Sequence, residues 1–212
     1  MADVIEKIEK RTVQYYFSDG IPEMAWSVVA LLMALYFLGL ATAPANSPWT
    51  FVLDVGLLPL FIFGGWAVNK VTRTLKRKLT YPRTGYVSYR KPEGKRRVRR
   101  AALAGGVAGV FGALLAFALS RGSGDLARMP LLSGLAFAPV FIFLAGRAGA
   151  PRLYILGAVS AAAGIALALS GWGDLQGLAA FYGIVAAALF ASGFITCRSY
   201  LRENPLPGGA AR

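Results

Sequence analysis

Asp54 is the one charged residue inside any of six long apolar stretches of this chain, and Pro59 and the pair Gly64-Gly65 follow it within the same stretch. A carboxylate at the centre of a membrane-crossing helix costs about 2.5–3.5 kcal/mol on insertion scales, so it turns toward protein or water and is by default a candidate site. Pro59 frees a backbone carbonyl and bends its helix, as Pro139 does in a later stretch, and broken helices can line a solute path. Asp54 also stands only about a turn and a half into its stretch, where headgroup water reaches it, so interfacial solvation is the competing reading.

Little other chemistry can be assembled. The chain has no histidine, its single cysteine is Cys197, and its ten acids are scattered. A zinc site, a Cys/His nucleophile pair and a disulfide framework are therefore out of reach within one copy. No base, nucleophile and oxyanion set is visible either. Ser133, Ser160 and Ser192 read as hydroxyls that bond back to helix carbonyls or fill tight contacts. A non-enzymatic protein without cofactor or metal is expected.

The elements that must carry these residues are membrane spans. A helix needs about 20 apolar residues to cross roughly 30 Å of hydrocarbon. Six stretches qualify, from Met24 to Thr42, Trp49 to Asn69, Ala101 to Ser120, Met129 to Gly146, Leu153 to Ser170 and Leu175 to Cys197. Pro48, Pro130 and Pro151 suit first helical turns, where a missing N–H costs nothing. Ala41-Thr42-Ala43 has the look of a signal cleavage site, but the preceding segment carries Asp3, Glu6, Glu9, Asp19 and Glu23, and Pro44 follows directly. The first span is expected to stay uncleaved.

Between the second and third stretches, the 31 residues from Lys70 to Arg100 hold 13 of the 23 Lys and Arg and a single acid, Glu93. Cytoplasmic loops retain such residues. With both termini inside, 21 of the 23 basic residues fall on the inner side, and only Arg121 and Arg128 fall outside. The expected fold is thus an all-α, polytopic helix bundle with six transmembrane helices in the inner membrane, both termini cytoplasmic. It forms one integral membrane domain over 1–212: an amphipathic N-terminal helix (1–20), a first helical pair (24–69), a basic cytoplasmic loop (70–100), two helical hairpins (101–197) and a tail (198–212).

In the N-terminal segment, Asp3 and Glu6 have capping-box-like spacing, and Asp3/Lys7 and Glu6/Lys10 are acid-first pairs one turn apart. Val4, Ile5, Ile8, Thr12, Tyr15 and Tyr16 share one face, which would lie on the membrane surface or pack on the protein's own inner side, until Ser18-Asp19-Gly20 turns the chain into the first span. In the loop, Val71, Leu75 and Leu79 extend the second span as a basic amphipathic helix, TYPRTGYVSYR reads as a Pro/Gly turn and a short alternating segment, and KRRVRR leads into the third span. Lys76, Arg77, Lys78, Lys95, Arg96, Arg97, Arg99 and Arg100 are the candidate contacts to anionic lipid or a partner protein, each adding about 1 kcal/mol near an anionic leaflet. Enforcing topology is the plainer role for such charges. Nucleic acid is not an expected partner, because a loop tethered at both ends carries no recognition module.

ALSRGSGDL from Ala118 recurs as ALSGWGDL from Ala168, which reads as a duplicated hairpin in a parallel repeat. Asp125 and Asp174 then cap the helices that follow. Small residues recur every fourth position at Gly105/Gly109, Ala104/Ala108/Gly112, Ala158/Ala162 and Gly183/Ala187, a spacing that brings helix backbones together within the chain or between copies, so a homo-oligomer is an expected partner state.

The segments IEKRTVQYYFSDGIPEMAW and RKLTYPRTGYVSYR resemble portions of uncharacterised prokaryotic multi-pass membrane proteins with a YPRTGYV-type cytoplasmic loop. The resemblance covers the first half of the chain and implies a multi-pass membrane fold, with no activity, ligand or catalytic residue to carry over. Two functions remain in view. One is a membrane protein whose basic face binds anionic lipid or a partner, with Glu6, Glu9, Asp19 and Glu23 available to pair with the loop's arginines in a closed arrangement that a partner could open. The other is a small-solute transporter or channel built on the hairpins and Asp54.

Overall fold

The computed structural model describes residues 13–44, 48–84, 129–172 and 174–205. Within these, the side chains of 48–55, 57–59, 61, 62, 84 and 174 lie outside the description. Five long helices follow one another: α1 (Ile21–Thr42), α2 (Pro48–Leu75), α3 (Met129–Ala148), α4 (Arg152–Leu169) and α5 (Asp174–Glu203). No strand occurs among the described residues. Among the described residues four helices, α1, α3, α4 and α5, are long and apolar enough to cross a bilayer, which marks the chain as a multi-pass helical membrane protein. Their outward faces agree: Leu35, Phe143, Ile155, Leu169 and Ile195 are among many large apolar side chains left exposed, a surface that water would penalise and lipid does not.

α2 covers the expected second span, Asp54 and Pro59 included, and continues without a break through a π-helical turn (Lys76–Thr80) into a last helical turn (Tyr81–Thr84). The TYPRT part of the expected turn is therefore helical. In the wider turn the Tyr81 N–H reaches back to the Lys76 carbonyl, and the chain enters Pro82 still helical. The rest of the loop, the third expected span at Ala101 to Ser120 and the first copy of the repeated motif fall outside the described residues, as does the N-terminal helix before residue 13. Residues 13–17 are helical, and Val13 and Phe17 pack against the bundle core.

Backbones meet where side chains are smallest. α1 lies along α5, α3 along α4, and α5 also touches α4 and α3. A Cβ on Gly193 of α5 would fall 2.7 Å from the Gly20 carbonyl oxygen and 2.8 Å from the Met24 nitrogen. Between α3 and α4, a Cβ on Gly134 would fall 2.6 Å from the Ser160 carbonyl oxygen, and one on Gly164 2.7 Å from that of Pro130. These are the close approaches that hold apolar helices together when lipid is as apolar as leucine. Of the spaced small residues read from the sequence, Ala158, Ala162 and Ala187 are exposed and nothing lies within 4 Å of a Cβ on Gly183, whereas Ala104, Gly105, Ala108, Gly109 and Gly112 lie outside the described residues. The second copy of the repeat forms the α4–α5 connection, with Gly171 at φ 68° and the Ser170 hydroxyl donating 2.8 Å to the Leu167 carbonyl. Where α1, α3 and α5 converge, Phe181 is fully buried among Phe137, Tyr182 and Phe37, the last stacked 5.4 Å from Tyr182.

Candidate functional site at the basic end of the bundle

The start of α1, the ends of α2, α3 and α5, and the start of α4 gather at one end of the bundle. The chain reaches this end through Ser18-Asp19-Gly20, where Gly20 takes φ 68°, a conformation that costs a residue with a Cβ. Asp19 is 1% exposed, and its Oδ1 accepts the Ile21 N–H at 3.2 Å. Its Oδ2 accepts from the Lys76 ammonium at 2.7 Å and from the Thr80 hydroxyl at 2.8 Å. Lys76 donates a second bond, 2.9 Å, to the Tyr16 carbonyl and lies over the Tyr16 ring, 5.1 Å from its centre. Burial lowers the Lys76 ammonium from its ordinary value, and the Asp19 carboxylate opposes that shift. The Tyr16 phenol is raised by burial, with the Thr72 hydroxyl opposing.

One turn further along α1, Glu23 repeats the arrangement toward the other side. Its Oε1 accepts from Arg152 Nε at 2.9 Å, and its Oε2 from the Ser192 hydroxyl at 2.7 Å. Arg152 also donates through Nη2 to the Phe17 carbonyl. Both acids stand where the positive end of the α1 dipole favours negative charge. A buried charge survives only when paired and hydrogen-bonded, and each of these is. The two carboxylates thus form a clasp that fixes the start of α1 to α2, α4 and α5. Arg83 adds a third tie, donating to the carbonyls of Leu201 at 3.3 Å and Asn204 at 2.8 Å, which would otherwise lack partners at the end of α5.

Outside the clasp the same end carries an exposed basic stripe. Trp66, Lys70, Arg73 and Arg77 recur at helical spacing along one face of α2 and its π-helical extension, and all four are exposed, as is the neighbouring Lys78. The Lys70 ammonium lies 4.8 Å from the centre of the Trp66 ring. α3 ends in the same way, with Arg147 5.6 Å over the exposed Phe143 ring. An aromatic ring one turn inward from a cation is the pattern of a membrane–water boundary.

The structure thus divides the candidate residues. Arg77 and Lys78 are at the surface as expected, whereas Lys76 is 4% exposed and engaged with Asp19. Its position on the helix turns it toward α1, and the buried acid holds it there. Lys95, Arg96, Arg97, Arg99 and Arg100 lie outside the described residues. Asp54 and Pro59 lie in α2, with side chains outside the description. Ser192 does not bond back to its own helix but serves Glu23. The sequence suggested a pairing of Asp19 and Glu23 with the arginines of the basic loop; the partners are Lys76 for Asp19 and Arg152, at the entry to α4, for Glu23. Their signal was two acids one turn apart bracketing the entry to an apolar run, with Arg152 placed at the entry to another. No protein-family model matches this chain, and neither a curated protein nor a solved structure does.

Proposed function

We propose that the chain is a non-enzymatic, six-span membrane protein whose basic end faces the cytoplasm and binds anionic lipid. The observation that carries this reading is the exposed stripe of Lys70, Arg73 and Arg77 above Trp66. Three exposed cations on one helix face, close to an anionic leaflet, supply about 3 kcal/mol of attraction, while Trp66 fixes the depth at which they sit. The clasp supports it from below, because a helix end locked to α1 presents its charges in one place. Thr84 ends at the basic end, beside the end of α5 that Arg83 ties down. Met129 opens α3 at the opposite end, so the connection joins the two faces, as a crossing by Ala101 to Ser120 requires.

The transport alternative needs a polar route toward the midplane. The space that the described residues leave between α1, α3 and α5 is apolar apart from Glu23 and the Tyr182 phenol, which favours the lipid reading.

Thermal unfolding of the full chain in detergent tests it. Phosphatidylglycerol is expected to raise Tm by several degrees, phosphatidylcholine to leave it unchanged, and the variant Lys70→Gln/Arg73→Gln/Arg77→Gln to lose the difference. An equal response to both lipids, or a full response in the triple variant, sinks the reading and returns the basic face to a partner protein or to topology alone. A tag near Lys91 that is accessible from outside intact cells would overturn the orientation.

A further inference from the structure

α1 packs on α5 and α3 packs on α4, and between these two pairs the walls part. Over the floor of α5, between α1 and α3, runs a crevice of about 340 Å³. Ala30 and Met33 form one wall, Phe137 and Phe141 the other, and Tyr182 and Val185 the floor. At the rim Val140 of α3 is 41% exposed. Val29 of α1 also lines the crevice and faces α2, where a Cβ on Gly64 would fall 3.3 Å from it. The crevice is thus bordered by the two helices that precede and follow the stretch from Ala101 to Ser120.

We infer that the stretch from Ala101 to Ser120 is a helix that seats in this crevice, between α1 and α3 and beside α2. Chain length and connection carry the assignment. The chain leaves α2 at the basic end and re-enters at Met129 at the opposite end, and among residues 85–128 only Ala101 to Ser120 is long and apolar enough to make that crossing. Residues 121–128 alone then join it to α3, and so short a connection joins antiparallel neighbours. One flank of α3 is taken by α4, and α5 lies beneath. The flank that also reaches α1 and α2 is the crevice. Size agrees. Ala104, Ala108, Gly112 and Ala116 share one face of such a helix, and Leu103, Val110, Leu114 and Phe117 the opposite one. A backbone flanked by small side chains descends between the Met33 side chain and the rings of Phe137 and Phe141, while the bulky row is left to lipid. The assignment rests on the six-span reading above, because it needs this stretch to cross.

Cysteine pairing in the full chain, in native membranes and a Cys197→Ser background, tests the seating. Ala108 and Val140 stand at matching depth when the stretch runs antiparallel to α3. Val140→Cys/Ala108→Cys is expected to form a disulfide on mild oxidation, because close-packed helices bring Cα atoms within its reach. Val140→Cys/Val110→Cys places the second cysteine on the opposite face, and Ala162→Cys/Ala108→Cys places the first on the exposed face of α4. Both are expected to stay reduced. Equal yields in the three pairs, or none in the first, overturn the inference. Met33, 2% exposed in the crevice wall, gives a second measurement without cysteines. A diazirine analogue of methionine at this position is expected to cross-link on illumination to residues 104–112, and lipid as its only partner overturns the inference likewise. Ser123→Cys separates this inference from the reading beneath it. Labelling of that variant by an impermeant maleimide from the cytoplasm alone overturns the six-span reading, whereas external labelling without the Val140–Ala108 disulfide overturns the seating alone.

Discussion

The Lys76 ammonium lies 2.7 Å from the Asp19 carboxylate, with side chains 5% and 1% exposed. A surface pair of this kind contributes little, but removing one partner of a buried pair strands a charge at a cost of about 3–5 kcal/mol. Lys76→Met is therefore expected to lower stability by that amount, as measured by thermal unfolding in detergent. Asp19→Asn/Lys76→Met, which strands no charge, should recover at least half of the loss. Equal Tm values for wild type and Lys76→Met would show the pair to be idle.

Glu23 offers a second test through coupling. Single changes Glu23→Gln and Arg152→Gln each break the 2.9 Å pair. Groups in direct contact couple by about 0.5–3 kcal/mol. The double variant is expected to be less destabilised than the sum of the singles, and strict additivity would show that the two side chains do not act together.

Glycine substitutions separate the packed faces from the open ones. Gly193→Ala pushes a methyl against the Gly20 carbonyl oxygen and the Met24 nitrogen. These are backbone atoms that cannot step aside, so α1 and α5 must part at a cost of about 1–3 kcal/mol or more. Gly183→Ala, with nothing within 4 Å, should be neutral or gain up to about 1 kcal/mol from helix propensity. A reversed order in measured Tm would mean that α5 packs with its other face.

Alkaline pH reads out Tyr16. Burial raises its phenol above the ordinary value of 10.0, so the unfolded chain gives up this proton first and the folded chain holds it longer. The stability it contributes is complete below about pH 10 and is lost as pH rises through the folded value. Tyr16→Phe lacks this dependence. The Tm difference between wild type and Tyr16→Phe is expected to be flat at neutral pH and to move in favour of the variant above about pH 10. Lys76, lowered by burial with Asp19 opposing, acts with the opposite sign, and the comparison with Tyr16→Phe cancels it.

The spans at Met24–Thr42, Met129–Gly146, Leu153–Ser170 and Leu175–Cys197 were readable because a bilayer demands length and apolarity, and both are local properties. Helix ends were less so. α5 runs on to Glu203, past Cys197, since a helix can leave the hydrocarbon without ending. Ser18-Asp19-Gly20 was legible as a turn, because only glycine takes a positive φ without cost. What Asp19 and Glu23 bind was not, because their partners Lys76, Arg152 and Ser192 come from three distant helices and leave no periodic trace. Nor could spacing show which small residues meet: Gly134, Gly157, Gly164 and Gly193 face neighbours, whereas the Gly183/Ala187 pair does not, and only the rotation of each helix decides.

Glu23 and its two partners are separated by 129 and 169 residues. During synthesis the acid therefore enters the translocon long before Arg152 exists, and longer still before Ser192 does. Until Arg152 is made, the first helix carries an uncompensated charge near its entry, so chains truncated before α4 present the cell's quality-control machinery with an unfinished membrane segment.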